Sequence, residues 1–274
     1  MKKILIGILL LLSFTVLSAC GQDKNNADSG EKKEINIGAT SGPYADMVKK
    51  AIKPILEEKG YKVEVTEFTD YVQPNKALAD GSIDANLFQH KIYMESFAQQ
   101  NNIELSELIS VPTAPMGIYS KKFKSLEDIT DGATIAIPND PTNAARAFLI
   151  LEEAGLIKID QAADPLTVSE KDVTKNIKNL KFETIEAAQL PRAVDSVDLS
   201  AVPGNFALAA KMNLLDALKL ENMLDQYRNR VVVNTKDIDA PFAKDIKAAV
   251  ESAEFEKVID EDFKGFGKPE WMNQ

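Results

Sequence analysis

The chain has 274 residues, 45% of them hydrophobic, and a formal net charge of −10. This acidic balance, without a basic stripe interleaved with aromatic residues, argues against nucleic acid as a partner. A single cysteine excludes a disulfide within the chain, and with a single histidine it also excludes the usual zinc ligand sets.

Residues 1–19 have the pattern of a secretory signal, with a basic head, an apolar run over 4–16 and small residues before Cys20. The apolar run is too short for a membrane span. Leu17-Ser18-Ala19-Cys20 resembles the bacterial lipobox, whose cysteine is lipidated and becomes the mature first residue. That resemblance implies a diacylglyceryl group and, in many bacteria, a further acyl chain, which together give durable membrane attachment. The alternative is an ordinary secreted protein in which Cys20 is incidental.

Residues 20–33 are polar and cannot bury enough surface to fold, so we expect a flexible tether. Removal of Lys2 and Lys3 with the signal would change the formal charge from −10 to −12. From about residue 34 the hydrophobic pattern alternates between the strand and helix periods. It predicts strands at 35–38, 63–68, 83–88, 133–137, 180–185, 197–202 and 230–233, and helices at 44–58, 75–79, 91–99, 140–155, 190–194, 241–251 and 254–263.

Two features of this pattern predict a two-lobed α/β fold. Residues 108–119 are extended, apolar and broken by Pro112 and Pro115, which suits a crossing between lobes better than a central strand. The segment 73–85 is weakly echoed by 189–199, each being a short helix that leads through an aspartate into a strand. We therefore predict lobe 1 at 34–118 plus 230–274, lobe 2 at 119–229, and a ligand cleft between them. Pro54 predicts a kink or early break in the first helix.

The segment from Tyr71 to Tyr93 contains the one histidine, His90, close to Phe88 and Tyr93. Aromatic and polar side chains at a strand end of an α/β protein are typical of a pocket wall. From these residues alone, an ordinary aromatic core with a hydrogen-bonded surface histidine is the favoured alternative.

Asp140 fits a helix N-cap, with Pro141 at the first helical position. Asn143 and Arg146 then lie on about the same helix face. A guanidinium near a helix start can hold a carboxylate through two charged hydrogen bonds. An exposed stripe of Thr142, Arg146 and Glu153 explains the same spacing equally well.

Enzyme signatures are largely missing from the chain, which has no phosphate-binding loop, Rossmann glycine triplet or nucleophile elbow. A catalytic triad could use only His90. We therefore expect a binding protein that has no cofactor and is not an enzyme.

Four motifs together resemble the NlpA family of bacterial methionine-binding lipoproteins, from Cys20 over nearly the whole remaining chain. They are Asp70-Tyr71-Val72-Gln73-Pro74-Asn75, Asp84-Ala85-Asn86-Leu87-Phe88-Gln89-His90, Ile137-Pro138-Asn139-Asp140-Pro141-Thr142-Asn143 with Arg146, and Leu190-Pro191-Arg192.

This resemblance implies a type II periplasmic-binding-protein-like fold and the substrate-binding role of an ABC importer. The protein would be anchored at the extracytoplasmic face of the cell membrane, with a separate permease and ATPase as partners. Arg146 would clamp the carboxylate of L-methionine and Asn143 would add a hydrogen bond. Tyr71, Phe88 and Tyr93 would line the side-chain pocket, where a thioether packs well on aromatic rings. His90 would hydrogen-bond near the ligand.

One position departs from the family pattern. Members commonly have an asparagine that holds the ligand's amino end, and Pro203 stands there in this chain. Proline offers no side-chain donor or acceptor, and Asn205, two residues further on, is the candidate to compensate. A methionine-containing dipeptide such as glycyl-methionine is therefore an alternative to free methionine. Alternatives of other classes are an extracytoplasmic enzyme and a surface adhesin or signalling lipoprotein.

Overall fold

The computed structural model describes residues 32–273. The predicted signal at 1–19, the lipidation site Cys20 and most of the predicted tether lie outside the described residues. Within 32–273, no helix is both long and apolar enough to cross a membrane.

The strands of the described residues lie mostly where alternating or continuous apolar runs predict them. They are β1 (Glu34–Thr40), β2 (Lys62–Phe68), β3 (Ala85–His90), β4 (Leu105–Ser110), β5 (Gly117–Tyr119), β6 (Thr134–Pro138), β7 (Ile157–Ile159), β8 (Val173–Asn176), β9 (Lys181–Ile185), β10 (Leu199–Val202), β11 (Lys219–Leu220) and β12 (Asn229–Asn234).

The helices alternate with these strands. They are α1 (Pro43–Met47), α2 (Lys53–Glu58), α3 (Gln73–Asp80), α4 (Lys91–Asn101), α5 (Pro141–Glu153), α6 (Leu190–Ala193), α7 (Gly204–Ala209), α8 (Pro241–Val250) and α9 (Ala253–Asp262), with a π-helical turn at Val48–Ile52 and short 3₁₀ turns at Glu170–Asp172, Ala187–Gln189, Leu214–Asp216, Asp225–Tyr227, Thr235–Asp237 and Glu270–Asn273.

Two five-stranded sheets organise the fold, in the strand orders β2-β1-β3-β12-β4 and β11-β5-β10-β6-β9. In the first sheet β1 pairs in parallel with β2 and β3, whereas β12 is antiparallel to β3 and β4. In the second sheet β6 pairs in parallel with β9 and β10. This α/β architecture with two sheets confirms the predicted fold class.

Both sheets are covered on both faces, which explains their continuous apolar strands. Val231 and Val233 of β12 face the core formed with α1, α2, α8 and α9, whereas Val232 faces the opposite cluster with Leu78 and Met94. Ile135 and Ile137 of β6 likewise face α5, and Ala136 faces the cluster around α6. The alternation follows from the two-residue period of a strand.

The chain passes from the first sheet to the second between β4 and β5, as predicted for 108–119, and returns between β11 and β12. The two crossings are tied together, since Thr113 Oγ1 accepts the backbone N–H of Asn229 at 2.8 Å. Thr113 also forms a bridge with Gly267 near the C-terminus. The lobe boundaries at 118/119 and 229/230 stay a prediction; β5 begins at Gly117 and β12 at Asn229.

The helix predicted at 44–58 is interrupted near Pro54, as predicted, by a π-helical turn at Val48–Ile52 that separates α1 from α2. Other local expectations were wrong. The strand predicted at 83–88 begins at Ala85 and continues to His90. Helix α7 begins directly after Pro203, and the small β7–β8 sheet had no recognised signal.

Candidate functional site

The candidate site lies where several parallel strands of both sheets end. Tyr44 follows β1, Tyr71 follows β2, and His90 is the last residue of β3. On the other side, α5 follows β6 and Asn205 follows β10. Carboxyl ends of parallel strands are the usual ligand-binding edge of α/β sheets.

These strand ends enclose a pocket of about 320 Å³, counting its opening to solvent. All seven predicted ligand-binding residues line it, together with seven that sequence reasoning did not assign to the site. The lining residues are Tyr44, Tyr71, Phe88, Gln89, His90, Tyr93, Thr113, Ala114, Asn143, Arg146, Pro203, Gly204, Asn205 and Asn229.

One wall of the pocket is aromatic. The Tyr71 ring lies 5.8 Å from both Phe88 and Tyr93, measured between centroids, and 4.9 Å from Phe206 across the cleft. The Tyr93 hydroxyl donates to Tyr71 O at 3.0 Å, which fixes the two rings relative to one another. A flexible, polarizable apolar side chain would pack well on this wall.

Behind this wall, three buried amides hold β3 against the start of α3. Gln89 Nε2 donates to Asn75 Oδ1 at 2.6 Å and to Asn86 Oδ1 at 3.0 Å. Asn75 Nδ2 donates a hydrogen bond to Gln89 Oε1 at 2.7 Å, and Asn86 Nδ2 donates one to Asn75 Oδ1 at 3.0 Å. Because buried amides cost free energy unless they are paired, this closed set fixes one arrangement of the pocket wall.

The opposite wall is the first turn of α5. Asp140 is the N-cap, as predicted, and accepts the backbone N–H of Asn143 at 2.9 Å. The amide nitrogen of Asn143 donates to both carboxylate oxygens of Asp140 at 3.1 Å, which turns its Oδ1 toward the pocket. That oxygen accepts from Arg146 NH1 at 2.9 Å.

Arg146 is only 5% exposed, so the alternative of an exposed stripe with Thr142 and Glu153 is wrong. Its Nε donates to Glu221 Oε2 at 3.0 Å, and its NH2 contacts Glu221 Oε1. Burial opposes the charge, but the Glu221 carboxylate outweighs that effect and raises the pKa of Arg146. Of the five guanidinium N–H groups, three are used by partners within residues 32–273, so two remain for a ligand.

His90 is held as a neutral imidazole. Its Nδ1 accepts the backbone N–H of Tyr93 at 3.1 Å, so Nε2 carries the proton and donates to Asn143 Oδ1 at 3.3 Å. Burial lowers the pKa of His90 well below its ordinary value of 6.5, and the nearby charge of Arg146 acts in the same direction. His90 is therefore a fixed hydrogen-bonding contact between the two walls, and the surface-histidine alternative is wrong.

Comparison with known proteins agrees with this geometry. The family model described as NlpA lipoprotein matches residues 35–271, which is most of the chain. The chain belongs to the NlpA lipoprotein family.

Relatives in the NlpA lipoprotein family are similar over nearly their full lengths. The methionine-binding lipoprotein MetQ of Bacillus subtilis is 37% identical over 270 residues, covering 97% of each chain. The D-methionine-binding lipoprotein MetQ of Escherichia coli is 34% identical, covering 95% of each chain. A nutrient-binding protein from Burkholderia cenocepacia, solved bound to methionine, superposes with a TM-score of 0.80 at 39% identity, covering 84% of this chain and 97% of that one.

In this NlpA family chain, Pro203 and Asn205 both line the pocket. Pro203 lines the pocket without a polar side-chain atom, and Asn205 lies two residues further along. The Tyr71 hydroxyl donates to Asn205 Oδ1 at 2.7 Å across the cleft. The amide nitrogen of Asn205 is buried and has no hydrogen-bond partner among residues 32–273.

Sequence reasoning did not assign Asn229, Glu221 or Tyr44 to this NlpA family site. Asn229 Nδ2 donates to Phe88 O at 2.9 Å, which leaves its Oδ1 available to the pocket. The side chain of Glu221 is 5% exposed although it comes from a polar loop. Tyr44 was read only as the start of a helix. The one available signal was the position of Asn229 directly before the strand predicted at 230–233.

The described residues of this NlpA family chain contain no cluster of three or more histidine, cysteine, aspartate or glutamate side chains that could hold a metal ion.

Proposed function

We propose that the chain is a lipid-anchored substrate-binding protein that captures L-methionine outside the cytoplasm and delivers it to an ABC importer. One observation carries this proposal: a buried arginine with two unused N–H groups shares a closed pocket with a wall of aromatic rings. The guanidinium suits a carboxylate, and the rings suit a thioether. The methionine-binding names of the relatives identify the amino acid that combines both groups.

The same proposal assigns the remaining roles. Cys20 carries the lipid, a permease receives the ligand, and a separate ATPase supplies the energy, since this chain has no nucleotide-binding motif. The two sheets close on the ligand and open to release it. The relatives are named for binding, so in this proposal the chain binds its ligand and releases it unchanged.

A methionine-containing dipeptide is the second candidate ligand, and Asn205 and Pro203 favour it. Two groups of the pocket lining have no hydrogen-bond partner among residues 32–273, the amide nitrogen of Asn205 and the side-chain oxygen of Asn229. One donor and one acceptor match the C=O and N–H of a peptide bond. A free ammonium instead presents three donors, and Pro203 offers no side-chain acceptor for them.

Calorimetry on the purified protein with L-methionine, glycyl-methionine and methionyl-glycine tests both candidates. We expect methionine to bind with saturable one-to-one stoichiometry. Tighter binding of glycyl-methionine would make the dipeptide the ligand, and binding of methionine alone would remove it. Binding of none of the three would refute the proposed function.

A further inference from the structure

Tyr44 lines the same pocket as Arg146. It is the second residue of α1, directly after β1 of the first sheet, and is 2% exposed. Its ring meets Phe266 edge-on at 6.3 Å, and this contact holds it toward the pocket that it lines with Arg146. Arg146 is presented from the second sheet, so the two residues approach the pocket from different sheets.

The hydroxyl of Tyr44 has a proton to donate. Its oxygen accepts the backbone N–H of Ala114 at 3.3 Å, which is a long and weak bond. The neighbouring hydroxyl of Thr113 already donates to Val111 O and accepts from Asn229 N. Burial raises the pKa of Tyr44, so the phenol keeps its proton at all physiological pH values. Within residues 32–273 no acceptor lies within 3.5 Å of this hydroxyl in hydrogen-bond geometry, although the nearby Thr113 side chain acts to lower the pKa of Tyr44 and is the competitor for this proton.

The crossing between the sheets places this hydroxyl beside the guanidinium. Ala114 N–H binds the Tyr44 oxygen, and Met116 N–H binds Glu221 Oε1 at 2.8 Å, the same oxygen that Arg146 NH2 contacts. Ala114 and Met116 are two residues apart, so their backbone nitrogens lie at most about 7 Å from one another. The guanidinium and the phenol also influence one another electrostatically, since Arg146 partly offsets the effect of burial on the pKa of Tyr44.

We propose that the Tyr44 hydroxyl donates a hydrogen bond to the carboxylate of the ligand, while Arg146 holds the same carboxylate through its two unused N–H groups. The carboxylate is then bound from both sheets at once, so the contact forms fully only when the cleft is closed. Tyr44 thereby selects ligands with a free carboxylate and couples their recognition to closure. This inference rests on the proposed function, which supplies a ligand with a free carboxylate.

Tyr44→Phe tests the inference because it removes only the hydroxyl. A hydrogen bond to a charged group contributes about 1.5–3 kcal/mol, so we expect methionine affinity to fall roughly 10- to 100-fold. The second ligand is 3-(methylsulfanyl)propylamine, which keeps the amine and thioether but lacks the carboxylate. Its weak binding, followed by NMR titration, should change less than about threefold in Tyr44→Phe, because the lost bond has no counterpart in this ligand.

Tyr61→Phe is the matched control, since the Tyr61 hydroxyl bonds to Asp245 at 2.7 Å away from the pocket. It should leave both affinities unchanged, and thermal unfolding should show both variants folded. If Tyr44→Phe weakens the binding of both ligands equally, Tyr44 acts only through its contact with Ala114. If methionine binding is unchanged, Tyr44 has no role in binding. Either result overturns the inference while the proposed function stands. Failure of the unmodified protein to bind methionine would instead overturn both.

Discussion

The stability of the protein should depend on pH through His90, its single histidine. In the folded state Nδ1 accepts from Tyr93 N–H and Nε2 donates to Asn143, so a second proton would break the Tyr93 bond. It would also place a positive charge near Arg146. Both effects accompany burial, which lowers the pKa of His90 well below 6.5.

The sign and size of the effect follow from proton linkage. In the unfolded chain a histidine titrates near 6.5, so below this pH the unfolded state binds a proton that the folded state does not. The free energy of unfolding therefore falls as the pH falls, with a slope that approaches about 1.4 kcal/mol per pH unit. Between pH 7.5 and 5.0 the loss amounts to about 2 kcal/mol. Unperturbed carboxylates titrate lower, so this window isolates His90.

Urea unfolding of the ligand-free protein at half-unit pH steps measures this loss. His90→Asn is the control, because asparagine can still accept the backbone N–H at the start of α4 but does not titrate. We expect the variant to lose the pH dependence between 7.5 and 5.0 while remaining folded. An equal slope in both proteins, or no slope in the unmodified protein, would refute a buried neutral histidine at this position.

Three further predictions follow from the site. Arg146→Ala should lower methionine affinity at least roughly 100-fold by calorimetry, and it should lower stability by about 3–5 kcal/mol because Glu221 is left buried and unpaired. Adding Glu221→Gln should restore much of the stability in urea unfolding but not the affinity; recovery of binding would contradict the clamp. Asp140→Ala should lower the free energy of unfolding by about 1 kcal/mol, because the N-cap is lost. It should also weaken ligand binding, because Asn143 is no longer oriented. Unchanged affinity would show that Asn143 does not act on the ligand. Gly204→Ala should cost about 1–3 kcal/mol in thermal unfolding, since a Cβ there would lie 2.5 Å from Pro115 O; an unchanged melting temperature would contradict this close packing.

The sequence predicted the parts of the site that depend on local rules. Asp140-Pro141 is a local signal for the start of a helix, and the structure has the N-cap at Asp140. Local patterns could not show that the segments around His90 and Arg146 meet in the fold. The resemblance of both segments to family motifs predicted that they form one site. From spacing alone, Arg146 was equally compatible with an exposed stripe. Its burial depends on Glu221, which lies 75 residues away in sequence.

Glu221 and Asn229 show why the remainder of the site was not predicted. Glu221 follows the two-residue strand β11, which is too short to give a hydrophobic period, and its burial is determined by Arg146 and the N–H of Met116. Asn229 is positioned by Phe88 O from the neighbouring strand. In both cases the deciding contacts join residues at least 75 positions apart, so no local window of sequence contains them. The π-helical turn before Pro54 was missed for a different reason, because proline predicts a disruption but not which local geometry absorbs it.

The charges of the buried groups bear on which ligands the pocket favours. Arg146 and Glu221 cancel one another, and His90 is neutral, so these buried groups bring no net charge to the cavity. A zwitterion also adds no net charge, whereas an anionic or cationic analogue would leave one charge uncompensated in a buried site, which is costly. Selection for a zwitterion therefore follows from the Arg146–Glu221 pair and is shared by methionine and its dipeptides. We predict that selection between those two depends instead on Pro203, which offers no side-chain acceptor, and on the unpartnered amide nitrogen of Asn205.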